Sequence, residues 1–483
     1  MLKKLQRLAS DTAIYGISTI VGRFLNFLLV PFYTNVLPPN EYGVVAYVFS
    51  LIAFFNVIYS YGMESAFFRY ASSMEIGTKK QNFSTPFYSL LLTSLFFSLF
   101  ISFFKFPLAN LADISPNNVA IVDYAAWILF FDALAILPFA SLRLENKPKI
   151  FSSIKILNIA SNVIFNIIFI VYWHYGIEGV FMSNLLSSAL TFLFLIPVIW
   201  KNIIFEFFSD LYRDLLIFGL PYIPAGIATM MVQVVDRPIL RALTDDTTVG
   251  IYQANYRLGI IMMLVVSMFD YAWRPFFLAN AKEKNAKEIF SKVLTYFFLF
   301  MSIIFLFTNF FLEDIITLKI GGRNIIHSQY WSGLGIVPII LLGYMCLGVS
   351  NNMVAGIYIE KKTKWLPSIT FAGATINIIG NFAFIPYLGI YGAAWATFLS
   401  YFIMAVILYY RVNKIYPIQY EFNRILKICI AVLITFTSLY VIKFFPYQIF
   451  FKIIAILFFA LMLYLANFLT TEEKVKIRSL LHF

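Results

Sequence analysis

The sequence predicts an all-α integral membrane protein with about fourteen transmembrane helices, and two observations carry that prediction. Hydrophobic residues make up 61% of the 483, and charged residues only 12%, about half the roughly 25% usual in soluble domains. The apolar residues also fall in runs of about 20, the length that crosses a hydrocarbon core. A water-soluble chain of this size has no interior large enough to hide such a surface, including 55 Phe. A disordered chain, a collagen-like one and a pair of ordinary soluble domains are excluded. The net charge of +12 invites a nucleic-acid reading, but that needs an exposed basic face on a soluble module, so no nucleic-acid partner is expected. Cys346 and Cys429 lie deep in apolar runs, which excludes a disulfide framework.

The spans read, in order, 11–36, 43–68, 83–104, 119–141, 153–173, 178–200, 214–239, 250–274, 289–311, 332–358, 365–386, 390–410, 424–444 and 447–468. The first is not expected to be a cleaved signal peptide: its apolar stretch is too long and no small-x-small site follows. Lys and Arg in the connecting segments set the orientation. With a cytoplasmic N-terminus, 25 of the 36 fall inside, and 6 outside: Lys105, Arg241, Lys319, Arg323, Lys443 and Lys452. Both termini are therefore expected in the cytoplasm. No connecting segment is long enough to fold as a domain.

The fifth and eleventh spans align without a gap at an offset of 215. Ser153-Ile154 matches Ser368-Ile369, Asn162 matches Asn377, Asn166 matches Asn381 and Phe169 matches Phe384. After a two-residue slip, Gly176-Ile177-x-Gly179 matches Gly389-Ile390-x-Gly392. More weakly, Tyr15-Gly16-Ile17 resembles Phe218-Gly219-Leu220, and Tyr42-Gly43 matches Val249-Gly250. The offset is six spans, an even number, so equivalent helices run the same way and the repeats are parallel, related by an axis along the membrane normal. The expected layout is a six-helix lobe over 1–200, a second over 201–415, and two additional helices with a tail over 416–483.

Five Arg fall within spans: Arg23, Arg69, Arg237, Arg257 and Arg274. Facing lipid they would cost on the order of 12–17 kcal/mol together, so each needs a partner or a water-filled space. Glu64, Asp132, Asp236 and Asp270 are the acidic candidates within spans, for coupling to an ion gradient. On the first span Tyr15, Thr19, Gly22 and Asn26 fall within about 60° of one another at 100° per residue, with Arg23 at the edge. Tyr222, Gly226, Thr229, Gln233 and Asp236 form such a stripe on the seventh, beside Arg237. Asn56, Ser60 and Glu64 do so on the second, and Gln253, Arg257 and Tyr271 on the eighth. The ladders Asn158, Asn162, Asn166 and Asn377, Asn381 read first as bonds between helices. Asp270 and Arg274, four apart, suit a local ion pair, and Asp236 suits a counter-ion for Arg237. An Arg cluster in excess over acids suits an anion, because guanidinium grips phosphate or carboxylate with two parallel bonds.

Certain residues carry a family resemblance. Tyr15-Gly16 and Arg23 are followed by Leu37-Pro38-Pro39-Asn40-Glu41-Tyr42-Gly43, and then by Tyr61-Gly62, Ala66, Arg69 and Tyr70. This pattern resembles the polysaccharide transporter (O-antigen flippase, Wzx-type) family of the multidrug/oligosaccharidyl-lipid/polysaccharide exporter superfamily, over nearly the whole chain. The resemblance implies a flippase of the bacterial inner membrane that moves undecaprenyl-diphosphate-linked oligosaccharide units for O-antigen, capsule or exopolysaccharide assembly. It implies two lobes around a cationic cavity that open alternately. It also implies that the last two helices border a groove for the prenyl tail. The expected partners are that anionic lipid-linked substrate, membrane lipids, a polysaccharide polymerase and glycosyltransferases. Lipid II flippases share the first-span Arg but carry an Arg-Asp pair farther along, where this chain reads Leu29-Val30; the departure counts against lipid II.

A multidrug antiporter of the same superfamily is the nearest alternative, but it would have twelve spans and a more acidic cavity. A membrane glycosyltransferase or polymerase should offer an Asp-x-Asp motif or a large loop, and the chain has neither. No phosphate-binding GxxxxGK[ST] motif occurs, and His174, His327 and His482 are too scattered for a metal. The expectation is a transporter rather than an enzyme, with no cofactor.

Overall fold

The computed structural model describes residues 27–471 together with residues 22, 473 and 474; Arg23 and most of the first-span stripe lie outside them. Among the described residues thirteen helical segments are long and apolar enough to cross a membrane, and Phe27–Val36 (α1) is a shorter apolar helix within the first predicted span. Helices are what a bilayer demands, because only a closed backbone hydrogen-bond pattern avoids stranding polar groups in hydrocarbon.

α2 (Pro39–Ser60) and α3 (Met63–Ser73) make one span broken at Gly62. There φ is +75°, and an added Cβ would lie 2.1 Å from the Gly219 carbonyl oxygen, so only glycine fits. α4 (Lys79–Phe103) opens on a capping box: the Thr78 hydroxyl accepts from the Gln81 amide, and the Gln81 side chain accepts from the Thr78 amide. This reciprocal pair satisfies two otherwise orphaned donors. α5 (Lys105–Leu111), α6 (Ala120–Leu144), α7 (Pro148–Asn166, then a wider turn over Ile167–Tyr172) and α8 (Gly176–Asn202) follow. In the α6–α7 turn, Lys147, Lys79 and Lys201 surround Glu145 at 2.6, 2.8 and 3.1 Å. Burial alone would raise that carboxyl; the three ammonium groups hold it at about 2.

α9 (Ser209–Gly219), α10 (Tyr222–Val234), α11 (Asp236–Leu243) and α12 (Asp246–Leu258) come next. The α10–α11 seam falls where Pro238 has no N–H to give the Val234 carbonyl. α13 (Ile260–Asn280), α14 (Ala286–Thr317), α15 (Val337–Met353), α16 (Ala355–Ile359), α17 (Leu366–Leu388), α18 (Ile390–Ile415), α19 (Phe422–Ile442) and α20 (Gln448–Leu465) complete the helices. A two-residue hairpin after α14 pairs Lys319 with Asn324. The span expected at 250–274 is two helices, α12 and α13, because Gly259 (φ −70°, ψ −7°) takes a tighter turn than an α-helix.

Residues 1–257, 326–336 and 366–400 form one compact unit, and residues 258–325, 337–365 and 401–483 another. In the second unit, α19 and α20 are fastened to the end of α14 by Lys443–Glu313 at 2.7 Å and Lys452–Asp314 at 2.6 Å. Arg424 joins Glu421 and Glu473, each at 3.0 Å, and lies over the Phe468 ring.

Within the first unit the repeat has matching local geometry. Asn166 Nδ2 donates to the Asn162 carbonyl and side chain at 2.8 and 3.0 Å; Asn381 Nδ2 donates to the Asn377 carbonyl and side chain at 2.8 and 2.9 Å. Gly176 and Gly389 take φ of +51° and +55°. Gly179 packs on Phe169, and Gly392 on Phe384. A reciprocal contact joins the starts of α2 and α12. A Cβ on Gly43 would lie 1.8 Å from the Asp246 oxygen, and one on Gly250 would lie 1.9 Å from the Pro39 oxygen. Gly43 and Gly250 are equivalent positions, and so are Pro39 and Asp246. Either Gly43→Val or Gly250→Val is therefore expected to prevent this crossing, read as loss of a disulfide between cysteines placed at flanking positions of α2 and α12. A disulfide that forms as in the parent would count against the contact.

Candidate substrate cavity

The first unit encloses a cavity of 780 Å³ walled by α2, α3, α6, α7, α8 and the α10–α12 segment. Its described lining carries four cations, Arg143, Lys155, Arg237 and Arg257, and two carboxylates, Glu64 and Asp132. The lining itself has an excess of two positive units, one of which Asp236 offsets from directly behind Arg237.

The cations differ in how they are held. Arg237 is 4% exposed. It pairs with Asp236 at 2.6 Å, donates from Nε to Gln253 at 3.0 Å, and lies over the Tyr256 ring at 4.2 Å. Asp236 in turn accepts from the Tyr252 hydroxyl at 2.5 Å and from Thr397 at 3.5 Å. The counter-ion expected for Arg237 is thus its immediate neighbour. Arg257, one turn beyond Gln253 on α12, is exposed within the cavity wall, with no hydrogen bond or ion pair to another described residue. Arg143 pairs with Glu64 and lies over the Phe68 ring at 4.8 Å. Lys155 lies over the Phe139 ring at 4.2 Å. Asp132 accepts from the Ser188 hydroxyl at 2.8 Å.

Of the sequence candidates, the structure brings Arg237, Arg257, Glu64 and Asp132 to this cavity, with Asp236 directly behind Arg237. Arg69 and Arg274 are not among the lining residues. Arg69 is exposed on α3, over the Phe218 ring at 5.0 Å. Arg274, in the other unit, pairs with Asp270 at 3.0 Å, the local pair the four-residue spacing suggests. Arg23 lies outside the described residues. Sequence reasoning missed Arg143 and Lys155, counting both with the cytoplasmic connecting segment: Arg143 lies just past the predicted span end at 141, and Lys155 only two residues inside the span that begins at 153. The helices run on to Leu144 and start at Pro148. The signal was present: Lys155, Asn158 and Asn162 recur at three- and four-residue steps, one face of a helix.

Residues 8–281 match the family described as "Polysaccharide biosynthesis protein". The chain belongs to this family. A curated relative, a Haemophilus influenzae protein of the Lsg locus, is 19% identical over 413 residues, covering 81% of this chain and 96% of its own. Among solved structures, the lipid II flippase MurJ in an inward closed conformation matches at a TM-score of 0.77 and 19% identity, covering 97% of this chain and 100% of its own. An inward-facing multidrug resistance MATE family transporter of the MOP superfamily matches at 0.63 and 15%, over 81% of this chain and 94% of its own. The MATE multidrug transporter DinF-BH, solved as a complex, matches at 0.62 and 16%, over 86% and 97%. At these identities the likeness is one of fold.

Proposed function

We propose that this protein is a flippase for polyprenyl-diphosphate-linked oligosaccharide units in the bacterial cytoplasmic membrane. The observation that carries the reading is the cationic cavity, above all Arg257, a guanidinium inside a membrane protein that no described acid neutralises. The family supports a role in polysaccharide biosynthesis. A diphosphate brings at least two negative charges to a lining in which cations outnumber acids. Fixed cations along the route lower the barrier to carrying those charges through a low-dielectric layer. Glycosyltransferases would supply the substrate and a polymerase would consume it, with both termini of the chain in the cytoplasm.

The protein reconstituted in liposomes is expected to speed leaflet exchange of undecaprenyl diphosphate bearing a fluorescent oligosaccharide at least tenfold over protein-free vesicles. Transport of a cationic rhodamine dye, without movement of the anionic lipid, would overturn the reading in favour of a drug antiporter.

A further inference from the structure

We infer that the α7–α8 face of the cavity is a carbohydrate-recognition wall, which contacts the sugar next to the diphosphate and sets which glycans are carried; this rests on the reading of the cavity as a diphosphate-lipid site. The wall is built from Asn158, Asn162, Asn184 and Ser188, with Asp132 from α6 beside them.

These groups are fixed by one set of bonds and keep others for a ligand. Asn158 donates through Nδ2 to the Ser187 carbonyl at 3.1 Å and to the Thr191 hydroxyl at 2.7 Å, leaving Oδ1 to accept. Asn184 donates to the Val180 carbonyl at 3.0 Å and likewise keeps Oδ1. Asn162 is used at Oδ1 by Asn166, so its amide hydrogens remain. Asp132 takes Ser188 on Oδ1 and keeps Oδ2. None of these remaining atoms is among the buried, unsatisfied ones, and the residues that carry them line the cavity. The wall therefore offers donors and acceptors side by side, held at fixed positions. A sugar hydroxyl, which donates and accepts at once, is the ligand such a pattern suits. A hydrophobic cation would leave those amides without partners.

The second repeat supplies an internal control. At the offsets that align α7 with α17 and α8 with α18, Lys155, Asn158, Ser188 and Thr191 correspond to Thr370, Gly373, Tyr401 and Met404. Asn162 and Ser187 correspond to Asn377 and Ser400. There Ser400 bonds directly to the Gly373 carbonyl at 2.7 Å. The same pair of helices thus forms without Asn158, Ser188 or a lysine. Asn158 and Ser188, which only the first copy has, face the cavity and are not needed for the helix pair; Asn162 and Ser187, which both copies keep, serve the fold and line the cavity as well.

The test is binding of two kinds of probe in nanodiscs: undecaprenyl diphosphate alone, and the same lipid bearing one glucose, galactose or N-acetylglucosamine. The parent protein is expected to bind at least one sugar-bearing probe tenfold or more tighter than the bare lipid. Asn158→Ala and Asn184→Ala, which leave the charge of the lining unchanged, should abolish that difference while bare-lipid affinity stays within twofold; Arg257→Ala should weaken every probe. Variants that weaken bare and glycosylated lipid equally, or a parent that does not distinguish them, would overturn the wall. A parent that binds no probe at all would overturn the diphosphate reading and the wall with it.

Discussion

Arg257→Ala is expected to abolish translocation while the protein still inserts and folds. The guanidinium is exposed in the cavity wall and has no described ion partner, so its removal strands no buried charge. What is lost is its grip on substrate. A hydrogen bond to a charged group contributes about 1.5–3 kcal/mol, so losing a bidentate grip should slow transport by about a hundredfold or more. Arg257→Lys should recover part of the rate, because it keeps the charge and loses the planar fork. A complementation assay, read beside the amount of protein in the membrane fraction, checks this. Full activity in the Ala variant would make Arg257 a structural residue.

Arg237→Ala should fail in a different way. Asp236 is 2% exposed and Arg237 4% exposed, and they are bonded at 2.6 Å. Removing the cation leaves a buried carboxylate held by Tyr252, Thr397 and the backbone amide of residue 237, none of which carries a charge. Breaking such a pair from one side costs about 3–5 kcal/mol, a large fraction of the stability of any domain. The expected result is a steep loss of folded protein, seen as a lowered melting temperature in detergent and low yield. Replacing both charges at once, as in Asp236→Asn with Arg237→Gln, should restore most of that stability, since no lone charge remains. If the single variant melts with the parent, the pair does not hold the fold.

The spans were legible because lipid leaves the backbone no other choice, so composition and run length were enough. The repeat was legible in Asn162 and Asn377, whose spacing carried through to matching hydrogen bonds. Single-residue events were harder to read. Glycine is tolerated in membrane helices, so nothing in the run around Gly259 announced a break. The cost of a charge in hydrocarbon identified Arg69 and Arg257 alike but could not separate them. One lies over the Phe218 ring, a partner with no charge to advertise it, and the other faces open space. Arg143 and Lys155 were hidden by the rule that served orientation, which counts cations near helix ends as loop residues.

The Gly43 and Gly250 crossing bears on how one end of this unit can part. The two contacts are copies of each other, each made by a glycine of one helix against a carbonyl of the other. A rigid separation of α2 from α12 breaks both in a single movement, and no stage keeps one intact. Each touching carbonyl keeps its place in its own helix, so parting leaves neither acceptor stranded, and Arg241, bonded to Asp246, must leave the Tyr47 ring of α2 as it happens. The seam behaves like a detent: it is sharply defined when shut, and any methyl group added to either half keeps it from seating.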